Sequence, residues 1–138
     1  LRVLIAEDNP VNQLVARKML ERRGCEVVVV ADGREAVDAV KSRRAREPFD
    51  MVLMDVQMPR LDGFAATREI RALGERELLV VALTANAMSG ERERCIARGM
   101  DEYLAKPLDE SRLDEVLALA SPRSRADAST VPSVAQTR

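Results

Sequence analysis

Four short stretches of this chain are apolar without interruption: Val3 to Ala6, Val27 to Val30, Met51 to Met54 and Leu78 to Leu83. A strand with one face in water alternates apolar and polar residues. A strand of a parallel sheet, covered by helices on both faces, reads as a continuous apolar run. The four runs therefore predict buried parallel strands, and Tyr103-Leu104-Ala105 is a weaker fifth. The stretches between them carry helical spacing instead. Val11, Leu14, Val15, Met19 and Leu20 fall on one helical face, as do Ala66, Ile70 and Leu73, and again Leu113, Val116, Leu117 and Ala120. Asn9-Pro10 sets a capping side chain before a proline at the first helical position, and Gly24 is placed to stop that helix. Gly63 and Gly99 fall in or near connections. Five β/α units in succession predict right-handed crossovers and a doubly wound α/β sheet over residues 1–120. From Ser121 the periodicity stops and Ser, Pro, Thr, Arg and Ala dominate, so 121–138 is expected to be a polar tail or linker.

Composition changes this picture mainly by exclusion. A chain of 138 residues holds one core, not two. No apolar run approaches the ~20 residues of a membrane span, and no signal-peptide pattern opens the chain. No membrane contact is expected of this domain. Cys25 and Cys95 are isolated, with no CxxC spacing, which fits small buried hydrophobes in a reducing, cytoplasmic setting. With 22 Lys and Arg against 23 Asp and Glu, no net charge draws the chain to nucleic acid. Trp is absent and Phe49, Phe64 and Tyr103 are the only aromatics, so no base-stacking surface or nucleic-acid partner is expected. Arg43, Arg44 and Arg46 read as a solvated helix end, favourable to its dipole. The absence of histidine removes Ser-His and Cys-His nucleophiles, His-ligated zinc, and any role for this chain as a phosphohistidine donor. Neither GxxxxGK nor GxGxxG is present to cradle a nucleotide.

In an open parallel sheet, ligands bind beyond the carboxyl ends of the strands. The first strand runs out into Glu7 and Asp8, the third ends in Asp55, the fourth in Thr84 and the fifth in Lys106. Singly, each is an ordinary solvated strand-end residue. Together they bring three acids, a hydroxyl and an amine to one rim. Three carboxylates repel one another unless a cation offsets them, and an all-oxygen cluster with room for water suits Mg²⁺. A carboxylate beside Mg²⁺ and a lysine is a competent nucleophile toward phosphorus, because phosphoryl transfer asks little of a protein beyond position and charge.

The residues that carry this chemistry also carry a resemblance. Ile5-Ala6-Glu7-Asp8-Asn9, Met54-Asp55-Val56-Gln57-Met58-Pro59, Asp62-Gly63, Leu83-Thr84-Ala85 and Lys106-Pro107, in that order and spacing, resemble the receiver family of response regulators over about residues 2–120. The resemblance implies a flavodoxin-like (βα)5 fold with strand order 2-1-3-4-5. It implies Asp55 as phospho-acceptor and an acidic pocket of Glu7, Asp8 and Asp55. Asp8, Asp55 and the backbone carbonyl of Gln57 would reach Mg²⁺. Thr84 and Lys106 would contact the phosphoryl group, and Tyr103 would be the aromatic that turns inward when Thr84 moves. Glu7 stands where many members have Asp. The implied partner is a histidine kinase or a histidine phosphotransfer domain.

Asn9 to Gln13 and Leu83 to Met88 resemble most the receivers attached to hybrid sensor histidine kinases, and a start at Leu1 fits a piece of a longer protein whose parent is membrane-anchored. The alternative is a stand-alone or N-terminal receiver of a response regulator, dimerising through its fourth and fifth helices. A Mg²⁺-dependent aspartyl-phosphate phosphatase would want a second Asp two residues after the first, where Gln57 stands. A flavin carrier of this fold would need a phosphate loop where Glu7-Asp8 would repel phosphate. A purely structural relative would have no use for Asp8, Asp55, Thr84 and Lys106 together.

Overall fold

The structure is a computed structural model that describes residues 1–85 and 89–120. The expected tail 121–138 lies outside the described residues, as do Asn86, Ala87 and Met88 of the Leu83-to-Met88 run. Strands and helices alternate as β1 (Arg2–Ala6), α1 (Pro10–Glu21), β2 (Glu26–Val30), α2 (Gly33–Arg43), β3 (Met51–Asp55), α3 (Gly63–Ala72), β4 (Leu79–Thr84), α4 (Glu91–Ala97), β5 (Glu102–Ala105) and α5 (Glu110–Leu117). The five strands form one parallel sheet in the order β2-β1-β3-β4-β5, as expected.

The unbroken apolar runs are explained by how the pleat divides them. Leu4, Ala6, Val52, Met54, Val80 and Ala82 point to one face and pack with Ala36, Val37 and Val40 of α2, Ala66 and Ile70 of α3, and Cys95 of α4. Val3, Ile5, Met51, Leu53, Val81 and Leu83 point to the other and pack with Ala16 and Leu20 of α1 and Leu113 and Val116 of α5. Alternate residues of one run thus serve two cores. At the edge the pattern weakens: Val27 to Val30 of β2 are only partly buried, because no strand covers their outer side.

Caps hold the helix starts beside the sheet. Asn9 accepts from the amides of Val11 (2.9 Å) and Asn12 (3.1 Å), with Pro10 following it. Asp32, Asp62 and Asp109 cap α2, α3 and α5 in the same way. Each such cap stabilises by about 1 kcal/mol. Gly24, with φ of 80°, turns the chain after α1 as its position predicted.

One expectation about α1 is corrected. Its five apolar positions do not fall on one face. Ala16 and Leu20, one turn apart, face the sheet, while Val11, Leu14 and Val15 are 68%, 53% and 42% exposed. Leu20 and Ala16 pack into the core beneath, Met19 lies against its margin, and Val11, Leu14 and Val15 are turned outward.

Candidate functional site

All five strands end at one rim, and the chain leaving them is tied down residue by residue. Past β1, the Glu7 amide donates to the carbonyl of Val30, extending the strand by one rung (3.1 Å). The Glu7 carbonyl accepts from Nε2 of Gln13 on α1 (2.6 Å), and its Oε2 accepts from the Asn9 amide (3.0 Å). Glu7 is therefore buried and fixed, while Asp8 beside it is exposed. Asp55 closes β3, buried, with its backbone opposite Leu83 of β4. Its Oδ1 accepts from the Gln57 amide at 3.1 Å.

The turn beyond Asp55 needs a glycine. The chain doubles back so that the Gly63 amide donates to the Val56 carbonyl (3.1 Å). A Cβ on Gly63 would strike the carbonyl oxygen of Asp55 and stand 2.9 Å from Cα of Val56. Gln57 and Met58 are thereby held in the wall of the cleft that Asp8 also lines.

Lys106 joins the pieces. Its amide donates to the Thr84 carbonyl (2.8 Å), which anchors it to the end of β4, and the peptide to Pro107 is cis. Its ammonium donates to Oδ2 of Asp55 and lies 2.8 Å from each of Asp55 Oδ2 and Glu7 Oε1. Burial would push the Lys106 ammonium down, but the bonds to Asp55 and then Glu7 outweigh it and hold the group above the ordinary lysine range.

Glu7, Asp8 and Asp55 place carboxylate oxygens within 4.8 Å of one another. Lys106 offsets one of the three charges. The buried Oε1 of Glu7, although close to Lys106, makes no hydrogen bond of good geometry. An excess of negative charge on hard oxygen donors fits a divalent cation such as Mg²⁺.

Glu7, Asp8, Asp55, Gln57, Thr84 and Lys106 all line one open cleft of about 860 Å³. Tyr103 lies one strand over. It pairs with Ala82, which puts its ring on the same sheet face as Thr84, half-buried against the core. The same cleft contains residues the sequence did not single out: Glu91 and Arg94. The buried Glu91 accepts the Thr84 hydroxyl (2.8 Å). No motif marks this pair, since a seven-residue step from strand to helix has no periodicity to read.

The sensor protein GacS of Pseudomonas syringae pv. syringae is 48% identical over 120 residues, which are 84% of this chain and 13% of that protein. The chain thus spans about 13% of the length of this relative. A crystal structure of the receiver domain of a sensor histidine kinase from Pseudomonas aeruginosa, with magnesium coordinated in its active-site cleft, is 47% identical with a TM-score of 0.73, covering 84% of this chain and 93% of that one. A co-crystal structure of the Saccharomyces cerevisiae phosphotransfer protein Ypd1 with the receiver domain of its response regulator Ssk1 matches at 27% identity and a TM-score of 0.75, covering 83% of this chain and 84% of that one. The family profile of the response regulator receiver domain covers residues 3–118, every strand and helix that builds the rim included, and this chain belongs to that family.

Proposed function

We propose that this domain takes a phosphoryl group from phosphohistidine onto Asp55, with Mg²⁺ bound, as one step of a phosphorelay. The observation that carries the reading is the Asp55 carboxylate itself: buried at a strand end, close to two further acids, with Lys106 2.8 Å away. An Asp55 carboxylate oxygen attacks phosphorus, the P–N bond breaks, and the electron pair leaves with the imidazole nitrogen. Lys106 keeps its positive charge beside the oxygens on which negative charge accumulates. Glu7, Asp8, Asp55 and the Gln57 carbonyl would hold the ion, which when bound supplies charge neutralisation at the phosphoryl oxygens. The Thr84 hydroxyl then donates to a phosphoryl oxygen, and Tyr103, on the same sheet face, turns toward the space released.

A phosphohistidine-bearing helix bundle is the partner that fits. Val11, Leu14 and Val15 form an exposed apolar stripe on α1, beside the rim. The complex of Ypd1 with a receiver domain supports that class of partner, and the likeness to the receiver domain of a sensor histidine kinase and to a hybrid signal transduction histidine kinase supports a place in a hybrid histidine kinase. Among the described residues, no helix is long and apolar enough to cross a membrane.

Incubation with Mg²⁺ and acetyl phosphate is expected to add one phosphoryl mass at Asp55, and Asp55→Asn to abolish it, since an amide is not a nucleophile. A modification that persists elsewhere in that variant would refute the assignment. Phosphotransfer profiling tests the context. Fast exchange with a kinase core or phosphotransfer domain of the same protein supports the hybrid reading. Transfer only from a separately encoded kinase, with phosphorylation-dependent dimers through α4 and α5, overturns it.

A further inference from the structure

We infer that Glu91 is a latch on Thr84, a positioning residue that holds the switch hydroxyl until a phosphoryl group competes for it. The inference rests on the reading of Asp55 as phospho-acceptor. A hydroxyl has one proton to donate. Here that proton goes to Oε2 of Glu91, 2.8 Å away, and the two residues are 2% and 4% exposed. A charged acceptor in a dry setting makes this a bond of the stronger class.

Glu91 is itself restrained. Its Oε1 lies 3.3 Å from Nη1 of Arg94, one turn along α4, and the Arg94 guanidinium lies over the Phe64 ring of α3 at 5.1 Å. The carboxylate is therefore tied to two helices and is not free to follow a departing hydroxyl. Thr84 and Asp55 line the same cleft from adjacent strands. A hydroxyl drawn toward a phosphoryl oxygen on Asp55 must leave Glu91. That exchanges one anionic acceptor for another and leaves a buried carboxylate with Arg94 as its remaining ion-pair partner among the described residues. The competition sets how far phosphorylation drives the change at Tyr103.

Beryllofluoride with Mg²⁺ is the phosphoryl-mimicking probe, and Tyr103, the one tyrosine in a chain without tryptophan, reports binding by its emission. Glu91→Ala is expected to tighten beryllofluoride about tenfold, the scale of one hydrogen bond to a charged group. Glu91→Gln keeps the shape and a neutral acceptor and is expected to tighten it about threefold. Loss of a negative charge near an anion site tightens binding by itself, so the deciding measurement uses the Thr84→Ala background. There Glu91→Ala is expected to tighten beryllofluoride by the charge effect alone, about threefold or less and well short of the tenfold change with the hydroxyl present. Equal tightening with and without the hydroxyl, or none in either Glu91 variant, overturns the latch and leaves Asp55 as acceptor. A parent chain that binds no beryllofluoride overturns the acceptor reading, and the latch with it.

Discussion

Replacing Asp8 by Asn should make the metal-free domain more stable and the metal-dependent function worse. Asp8 holds a carboxylate oxygen within 4.8 Å of oxygens of Glu7 and Asp55. At that separation two unit charges repel by about 3.5 kcal/mol at an effective dielectric constant of 20 and about 0.9 kcal/mol in bulk water. Asp8 is exposed while the other two are buried, so the repulsion at Asp8 lies nearer the water value. Two such pairs sum to roughly 2 kcal/mol, and attraction to Lys106 offsets part of it. The neutral amide should therefore gain about 1–2 kcal/mol, a rise in Tm of about 4–8 °C for a domain of this size. Mg²⁺ should act in the opposite sense on the two proteins. At ten times Kd the ion stabilises the parent by about 1.4 kcal/mol, and loss of a charged ligand should cut that gain to a few tenths. Thermal unfolding followed by circular dichroism, with and without Mg²⁺, reads both quantities. An Asp8→Asn variant that melts below the parent without metal, or keeps the parent's full Mg²⁺ shift, would show that the three carboxylates are not in electrostatic conflict and that Asp8 is no ligand.

Lys106→Met leaves Glu7 and Asp55 without their ammonium partner and should cost about 2 kcal/mol in urea unfolding at neutral pH, a buried-pair loss reduced for the partial exposure of the lysine. The lysine is held above its ordinary range, so its contribution is complete below about pH 10 and is lost as pH rises through the folded-state value. The parent should lose stability along that alkaline limb, and a Lys106→Met profile that falls just as steeply there would refute the coupling. Gly63→Ala drives a methyl into the Asp55 carbonyl and should cost about 1–3 kcal/mol while slowing acetyl-phosphate labelling, because the turn that carries Gln57 has to shift. Unchanged stability and labelling rate would mean the turn adapts freely.

The strands were legible because both their faces are buried, which makes a run such as Met51 to Met54 continuously apolar. The rim was legible for a related reason: in a parallel sheet every strand ends at the same edge, so the residue after each run is placed by topology. The failures are equally physical. Val27 to Val30 read as fully covered, but a run of valines carries no mark that its strand is an edge. In α1 the large side chains drew attention, while contact with the sheet is made by Leu20 together with the small Ala16, which the apolar pattern did not include. Glu91 was missed because it meets Thr84 through the path of a connection, and side-chain pairing across a connection leaves no period in the sequence.

Val11, Leu14 and Val15 take part in neither core, and none of them holds a group of the rim. Replacing them is expected to be close to neutral for folding and to leave labelling of Asp55 by a small donor unchanged. On the docking reading proposed above, recognition and reaction are under separate control. The outer stripe of α1 can drift toward a new partner while every intermediate sequence remains folded and able to accept a phosphoryl group from a small donor. Duplicated copies of such a domain can be insulated from each other's kinases by changes on one helix face, without passing through an inactive protein. Transplanting those three positions from another receiver should redirect phosphotransfer between partners and leave the rate with acetyl phosphate where it was.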